Sequence, residues 1–299
     1  MFAVAAKVLQ NDKPVRTTQA VDYAGAGLLM SGVTLLLFYV TEGPTLGWIS
    51  LNELAFLTPG AIATLYFFMF ERKRTNPLIQ LDLLKIRNVL VANLVGIVSG
   101  TTMFMLFFAI VYYTELPRGF GLGLDIIAAG LTLGPSTLGM LIGGPTIGRM
   151  LSRFGPKPAL LLGSSVLGIG LILFILNRAT ATDVALDMLV ALFGLVSIVV
   201  PIVNMVAVSL PKESIAVGLG MNTMLRNLGG ALGPVIATTI MASYLSPLIV
   251  PVNGHNLIVA ELPSAFAFNL IFALGCVFSI GCVALSLATK NYTFEKRSE

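Results

Sequence analysis

Five side chains between positions 93 and 112 raise the first chemical question. Asn93, Thr101, Phe104, Phe108 and Tyr112 fall within about 100° of one another at 100° per residue, on one side of an otherwise apolar stretch. A carboxamide and hydroxyls set among aromatic rings suit non-covalent capture of an amphipathic small molecule, the rings supplying affinity and the polar groups orientation. Packing against a neighbouring helix would use the same residue types. Two later stretches repeat the pattern. Ser197, Pro201, Asn204 and Met205 share one face, and Asn222 and Arg226 lead into Gly229, Gly230, Gly233 and Ala237 at helical spacing. Arg226 is the only charge well inside an apolar span. Leaving it in lipid costs roughly 2.5–3.5 kcal/mol by insertion scales, so it must face an aqueous cavity, find an acidic partner, or snorkel to headgroups. The candidate cavity is therefore Asn93, Thr101, Phe104, Phe108, Tyr112, Asn204, Met205, Asn222 and Arg226.

Covalent chemistry lacks its residues. The single histidine, His255, sits in a polar stretch with no cysteine or carboxylate cluster beside it, so neither a metal nor another cofactor is expected. Cys276 and Cys282 are six residues apart in one apolar run, on different faces of a helix, and read as small packing residues. The glycines form no GxGxxG or P-loop pattern, which disfavours ATP-driven pumping, and no basic patch interleaved with aromatics suggests nucleic acid. An enzyme is not expected.

The elements that must carry these faces are set by composition. Hydrophobic residues make up 56% of the 299 and charged residues 11%, against roughly 45–50% and 25% in soluble domains. The chain reads as an all-α integral membrane protein with eight transmembrane helices, since stretches of about 20 apolar residues are long enough to cross a hydrocarbon core. The spans are expected at 23–41, 54–70, 89–113, 126–148, 158–177, 188–210, the stretch following Pro211-Lys212-Glu213, and 264–289. Glu42 to Asn52 is expected to turn the chain, with Trp48 as an interfacial anchor, and Ser246 to Pro263 to form an outer loop. Pro135 among Gly130, Gly134, Gly139 and Gly143 predicts a kink and close helix approach in the fourth span.

Between the fourth and fifth spans lies Gly143 to Pro158, with three cations and no anion. Arg149, Arg153 and Lys157 recur every four residues, so a short helical link would place all three on one face, and Gly155 with Pro156 and Pro158 supplies a stop and a fresh start. Lys and Arg number 15 in the termini and even-numbered loops but only two, Arg118 and Arg178, in the odd-numbered ones. That bias puts both termini in the cytoplasm of a multi-pass protein of the cell membrane. On that assignment the Asn291-Tyr292-Thr293 sequon faces the cytoplasm and stays unmodified.

At this point the residues carry a resemblance. Leu131 to Gly163, containing Gly144, Gly148, Arg149, Arg153, Gly155 and Lys157, resembles the second-half copy of the cytoplasmic-loop motif of the major facilitator superfamily. Asn222 to Gly233 is similar to the penultimate helix of that superfamily's fourteen-helix drug:proton antiporter branch, and Glu42 to Trp48 resembles the turn between its two extra central helices. The resemblance implies the last eight of fourteen helices. Residues 1–21 would be a cytoplasmic segment ending a missing helix, 22–70 the two extra central helices, 71–88 a basic cytoplasmic loop, 89–289 the six-helix C-terminal domain and 290–299 a cytoplasmic tail. It further implies a multidrug-efflux-like secondary carrier exchanging amphipathic compounds for protons by alternating access, together with a separate N-terminal six-helix half or a second copy of itself. A non-transporting membrane subunit or an inactive fragment is the alternative. Ser152 stands where the loop motif usually has an aspartate, and no Asp or Glu is expected deep in a span, with Asp125 and Asp187 at outer ends.

Overall fold

A computed structural model describes residues 22–74, 77, 79–252 and 255–292. The expected segment at 1–21 and the residues after 292, including the threonine of the sequon, lie outside the described residues. Apolar runs become nine helices among those described: α1 (Tyr23–Leu46), α2 (Leu51–Glu71), α3 (Arg87–Glu115), α4 (Ile126–Leu133), α5 (Leu138–Phe154), α6 (Pro156–Leu176), α7 (Ala181–Ser209), α8 (Ile215–Ser243) and α9 (Ala265–Leu287). Several starts carry side-chain caps that satisfy otherwise orphaned N–H groups. Asp22, Ser50, Asp125 and Ser264 accept from the backbone three residues on, and Thr180 with Asp183 forms a reciprocal capping box.

Seven helical units are long and apolar enough to cross a membrane, α4 and α5 counting as one 29-residue unit. The chain is a multi-pass membrane protein. Helix α8 has the length, 29 residues, but not the apolarity. Asn222, Thr223, Arg226, Asn227 and its glycines lower its hydropathy, and it is accommodated by packing along α3.

The helices overrun the expected spans. Helix α1 continues through Pro44 to Leu46, so the turn is only Gly47 to Ser50. There Tyr39 donates its hydroxyl to the Trp48 carbonyl at 3.3 Å, with the two rings edge-on at 5.6 Å. Pro135 interrupts the fourth unit as a 3-10 turn, Gly134–Thr137. Beyond it Gly139 and Gly143 lie against the Leu189 to Val196 stretch of α7, close enough that a Cβ would collide, whereas Gly130 and Gly134 face open space. Only half of the glycine series serves close approach.

Two expectations are corrected. The 149–157 stretch is not a loop carrying its cations on one face. Helix α5 runs through Arg149 and Arg153 to Phe154, Gly155 alone turns the chain at φ +84°, and Lys157 already belongs to α6. The fold is also not purely helical. Leu245–Val252 (β1) pairs antiparallel with His255–Pro263 (β2), with an irregularity at Leu248/Ile249. Leu-Ile-Val on one side and Leu-Ile-Val-Ala on the other are strand-forming runs, and the Asn253-Gly254 pair between them is a hairpin signal that outweighs the loop reading.

Helix α3 packs along α8 and also meets α7 and α9, α6 packs along α7 and α9, and α5 lies on α7. The core runs through α3, α6, α7 and α9 (Val95, Leu106, Leu171, Ile198 and Phe272, with Phe174 stacked on Phe272 at 5.1 Å). Helices α1 and α2 pair with each other and join the rest through α1 against α8, where Thr239 donates to the Val40 carbonyl at 2.9 Å.

Candidate functional site

The predicted polar face divides into a closed seam and an open groove. In the seam, α3 and α8 approach through glycine. A Cβ on Gly100 would collide with the Arg226 carbonyl, and one on Gly229 with the Ile97 carbonyl. Backbones that close bring side-chain donors within reach of the opposite main chain. Thr101 donates to the Gly229 carbonyl at 2.9 Å, and Asn222 donates to the Ala92 carbonyl and to Asn93 Oδ1, both at 3.2 Å. Asn93 and Asn222 are 2% and 1% exposed. Asn93, Thr101 and Asn222 thus meet in the α3–α8 seam, and none of them lines the groove described next. The Asn222 carboxamide oxygen keeps no hydrogen-bond partner.

The groove is aromatic. Phe104, Phe107, Phe108, Val111, Tyr112, Glu115 and Pro234 line a cavity of about 330 Å³. It continues, through the shared Phe108 and Tyr112, into one of about 230 Å³ bounded by Thr238, Met241, Ala242, Leu245, Glu261 and Pro263. The Phe108 and Tyr112 rings lie 6.3 Å apart at 12°, nearly parallel, one helical turn from each other. Phe104 and Tyr112 are 42% and 41% exposed. A flat apolar guest can lie along these rings, and the carboxylates of Glu115 and Glu261 supply a polar rim without any cation among the lining residues.

Glu115, Pro234, Thr238 and Glu261 were not among the predicted residues. Glu115 continues the 104–108–112 face, two residues beyond the span expected at 89–113 and at the last position of α3. Glu261 reaches the groove only through the hairpin. Of the remaining predictions, Met205 is fully buried in the core, and Asn204 is half-buried, accepting from the Tyr292 hydroxyl at 3.1 Å. Burial pushes the Tyr292 phenol up to about 12 from its ordinary value. Arg226 is half-buried beside Gly96 and Gly100, with no hydrogen-bond or ion-pair partner among the described residues.

Acids are nearer the interior than expected. Asp187 lies two turns into α7 and is buried, and Glu53, in the first turn of α2, is fully buried with neither carboxylate oxygen hydrogen-bonded. No group of three metal-ligating side chains occurs among the described residues.

At the other end of the helices, Asn291 ties the loop motif together. It donates to the Phe154 carbonyl at 2.9 Å and accepts from the Lys157 N–H at 3.2 Å, capping the end of α5 and the start of α6. The Lys157 ammonium donates to the Leu287 carbonyl at 3.1 Å. A Cβ on Gly155 would collide with Asn291 and Tyr292, so both its positive φ and its surroundings demand glycine. Arg149 and Arg153 stay exposed, and Gly144 and Gly148 face open space.

Comparison with known proteins gives this geometry a setting. The chain is 24% identical to the multidrug resistance protein Stp of Mycobacterium tuberculosis over 231 residues, 77% of this chain and 42% of that protein. It is 24% identical over 238 residues to the tetracenomycin C resistance and export protein of Streptomyces glaucescens, covering 79% of this chain and 44% of that one. The chain thus spans less than half the length of these curated relatives. The crystal structure of the nucleoside transporter NupG shares the fold, with a TM-score of 0.54 at 15% identity over 89% of this chain and 66% of that one. The model of the Major Facilitator Superfamily matches residues 18–234, most of the chain, and the chain belongs to that family.

Proposed function

We propose that this chain is part of a multidrug-efflux-like secondary carrier that moves amphipathic small molecules by proton-coupled antiport and alternating access. The aromatic groove carries the proposal. Parallel rings at Phe108 and Tyr112, open to a guest and edged by Glu115 and Glu261, suit a compound with a flat apolar body and a polar end. Resistance and export appear in the names of the relatives, and both match this chain over less than half their length. In this reading α1 and α2 are the two extra central helices, residues 89–289 form the six-helix domain with α8 as a span, and both termini are cytoplasmic in the cell membrane. The unpaired Arg226 faces the partner, a separate six-helix N-terminal half or a second copy, across a shared aqueous space.

The test is uptake into proteoliposomes under an imposed pH gradient, with the chain alone and with a six-helix half. Gradient-driven accumulation of a fluorescent amphipathic dye, abolished by Phe108→Ala with Tyr112→Ala, is the expected result. No accumulation in any combination would leave a non-transporting membrane subunit instead.

A further inference from the structure

The end of α2 holds a second built feature, separate from the groove and independent of the transport reading. Tyr66, Met69 and Phe70 form its apolar side, with Tyr66 and Met69 exposed and the Tyr66 and Phe70 rings 6.3 Å apart. Lys73 and Arg74 close the cavity, about 370 Å³, and no acid lines it. Arg74 is held in place from two sides. Its guanidinium carbon lies 4.4 Å from the Phe70 ring centroid, and its Nε lies 3.6 Å from Asp22 Oδ2, which belongs to the start of α1. With Nε turned to Asp22, the two terminal amino groups remain for a bidentate anion. The Lys73 ammonium has no partner among the described residues. Of the nearby acids, Asp82 pairs with Lys85 at 2.6 Å, and Glu71 is buried beside Ile79, whose N–H donates to one carboxylate oxygen at 2.6 Å while the other oxygen has no hydrogen-bond partner.

We infer that this cavity binds an anionic phospholipid, its phosphate between Lys73 and Arg74 and an acyl chain along Tyr66 and Met69. Charge complementarity selects the headgroup, and the apolar wall on a helix long and apolar enough to cross a membrane selects a lipid over a free anion. A soluble phosphate would use only half of the site.

Native mass spectrometry of the full chain released from detergent tests this, with phosphatidylglycerol and phosphatidylcholine of identical acyl chains as probes. The expected result is retention of phosphatidylglycerol in preference to phosphatidylcholine by about tenfold. Lys73→Gln, which leaves the Asp22–Arg74 contact in place, lowers that preference about fivefold, and Lys73→Gln with Arg74→Gln removes it. Tyr66→Ala with Met69→Ala weakens both lipids alike, and millimolar inorganic phosphate displaces neither. Melting temperatures of the variants equal to the unmodified chain show that the fold is intact. Equal retention of the two lipids, an unchanged preference in the double glutamine variant, or displacement by inorganic phosphate overturns the inference.

Discussion

Arg178 and Arg226 are two arginines of one apolar protein in opposite surroundings. Arg178 sits in the turn between α6 and α7 and staples three helices. Its guanidinium donates to the Phe174 carbonyl at 2.8 Å, to Asn269 Oδ1 at 2.6 Å and to the Ala265 carbonyl at 3.2 Å. It lies 5.3 Å from the Tyr113 ring, and the Tyr113 hydroxyl donates back to its carbonyl at 3.1 Å. Burial holds its basicity below the ordinary arginine value through lost solvation, which Tyr113 counters only in part. Arg226 stands in the middle of α8 beside two glycines and has none of this. The fold meets the Arg178 guanidinium from several sides, leaving only its Nε without a hydrogen bond, whereas Arg226 has no hydrogen-bond or ion-pair partner among the described residues.

The contrast can be broken, starting with the largest effect. Arg178→Ala leaves Asn269 and the Phe174 carbonyl near the end of α6 without this donor, removes the contact to the Ala265 carbonyl, and is expected to destabilise the chain by about 3 kcal/mol, read as a fall in melting temperature in detergent. Arg226→Gln is expected to leave that temperature within the equivalent of about 0.5 kcal/mol while reducing dye accumulation. Equal losses of stability would erase the distinction. Gly229→Ala pushes a methyl group into the Ile97 carbonyl and should cost about 2 kcal/mol, because the α3–α8 backbones must separate. Asn222→Ala removes two interhelical hydrogen bonds but also an unpaired buried oxygen, so a smaller loss of about 1 kcal/mol is expected.

The smallest effect is alkaline. Burial disfavours the Tyr292 phenolate, so the folded chain holds that proton more tightly than the unfolded one. Its contribution to stability is intact below the ordinary value of 10.0 and disappears as pH rises from there through about 12. Ultraviolet titration should show a late phenol that Tyr292→Phe removes.

Most of the helical layout is legible in the sequence because uninterrupted apolar runs admit no other structure in lipid. The ends are not, since Pro44 and Arg149 to Phe154 look like loop residues and are helical all the same. The groove's rings are legible from the 104–108–112 spacing, and its rim is not, because Glu261 reaches it only through the fold-back of the 245–263 hairpin. Asn93 and Asn222 show where a polar face is ambiguous. A carboxamide suits a ligand or a glycine-lined helix crossing equally well, and the close approach at Gly96, Gly100 and Gly229 that joins this pair is visible only in the fold. Arg178 reads as an ordinary loop cation until Asn269 and Tyr113 are brought to it.

The most direct test is photolabelling of the purified chain with a light-activated amphipathic aromatic probe, followed by mapping of the modified residues. The account expects labels concentrated between Phe104 and Tyr112 and between Pro234 and Leu245, lost when Phe108 and Tyr112 are both changed to alanine. Labels spread evenly over the lipid-facing residues of α1 and α2, and indifferent to that double change, would contradict it.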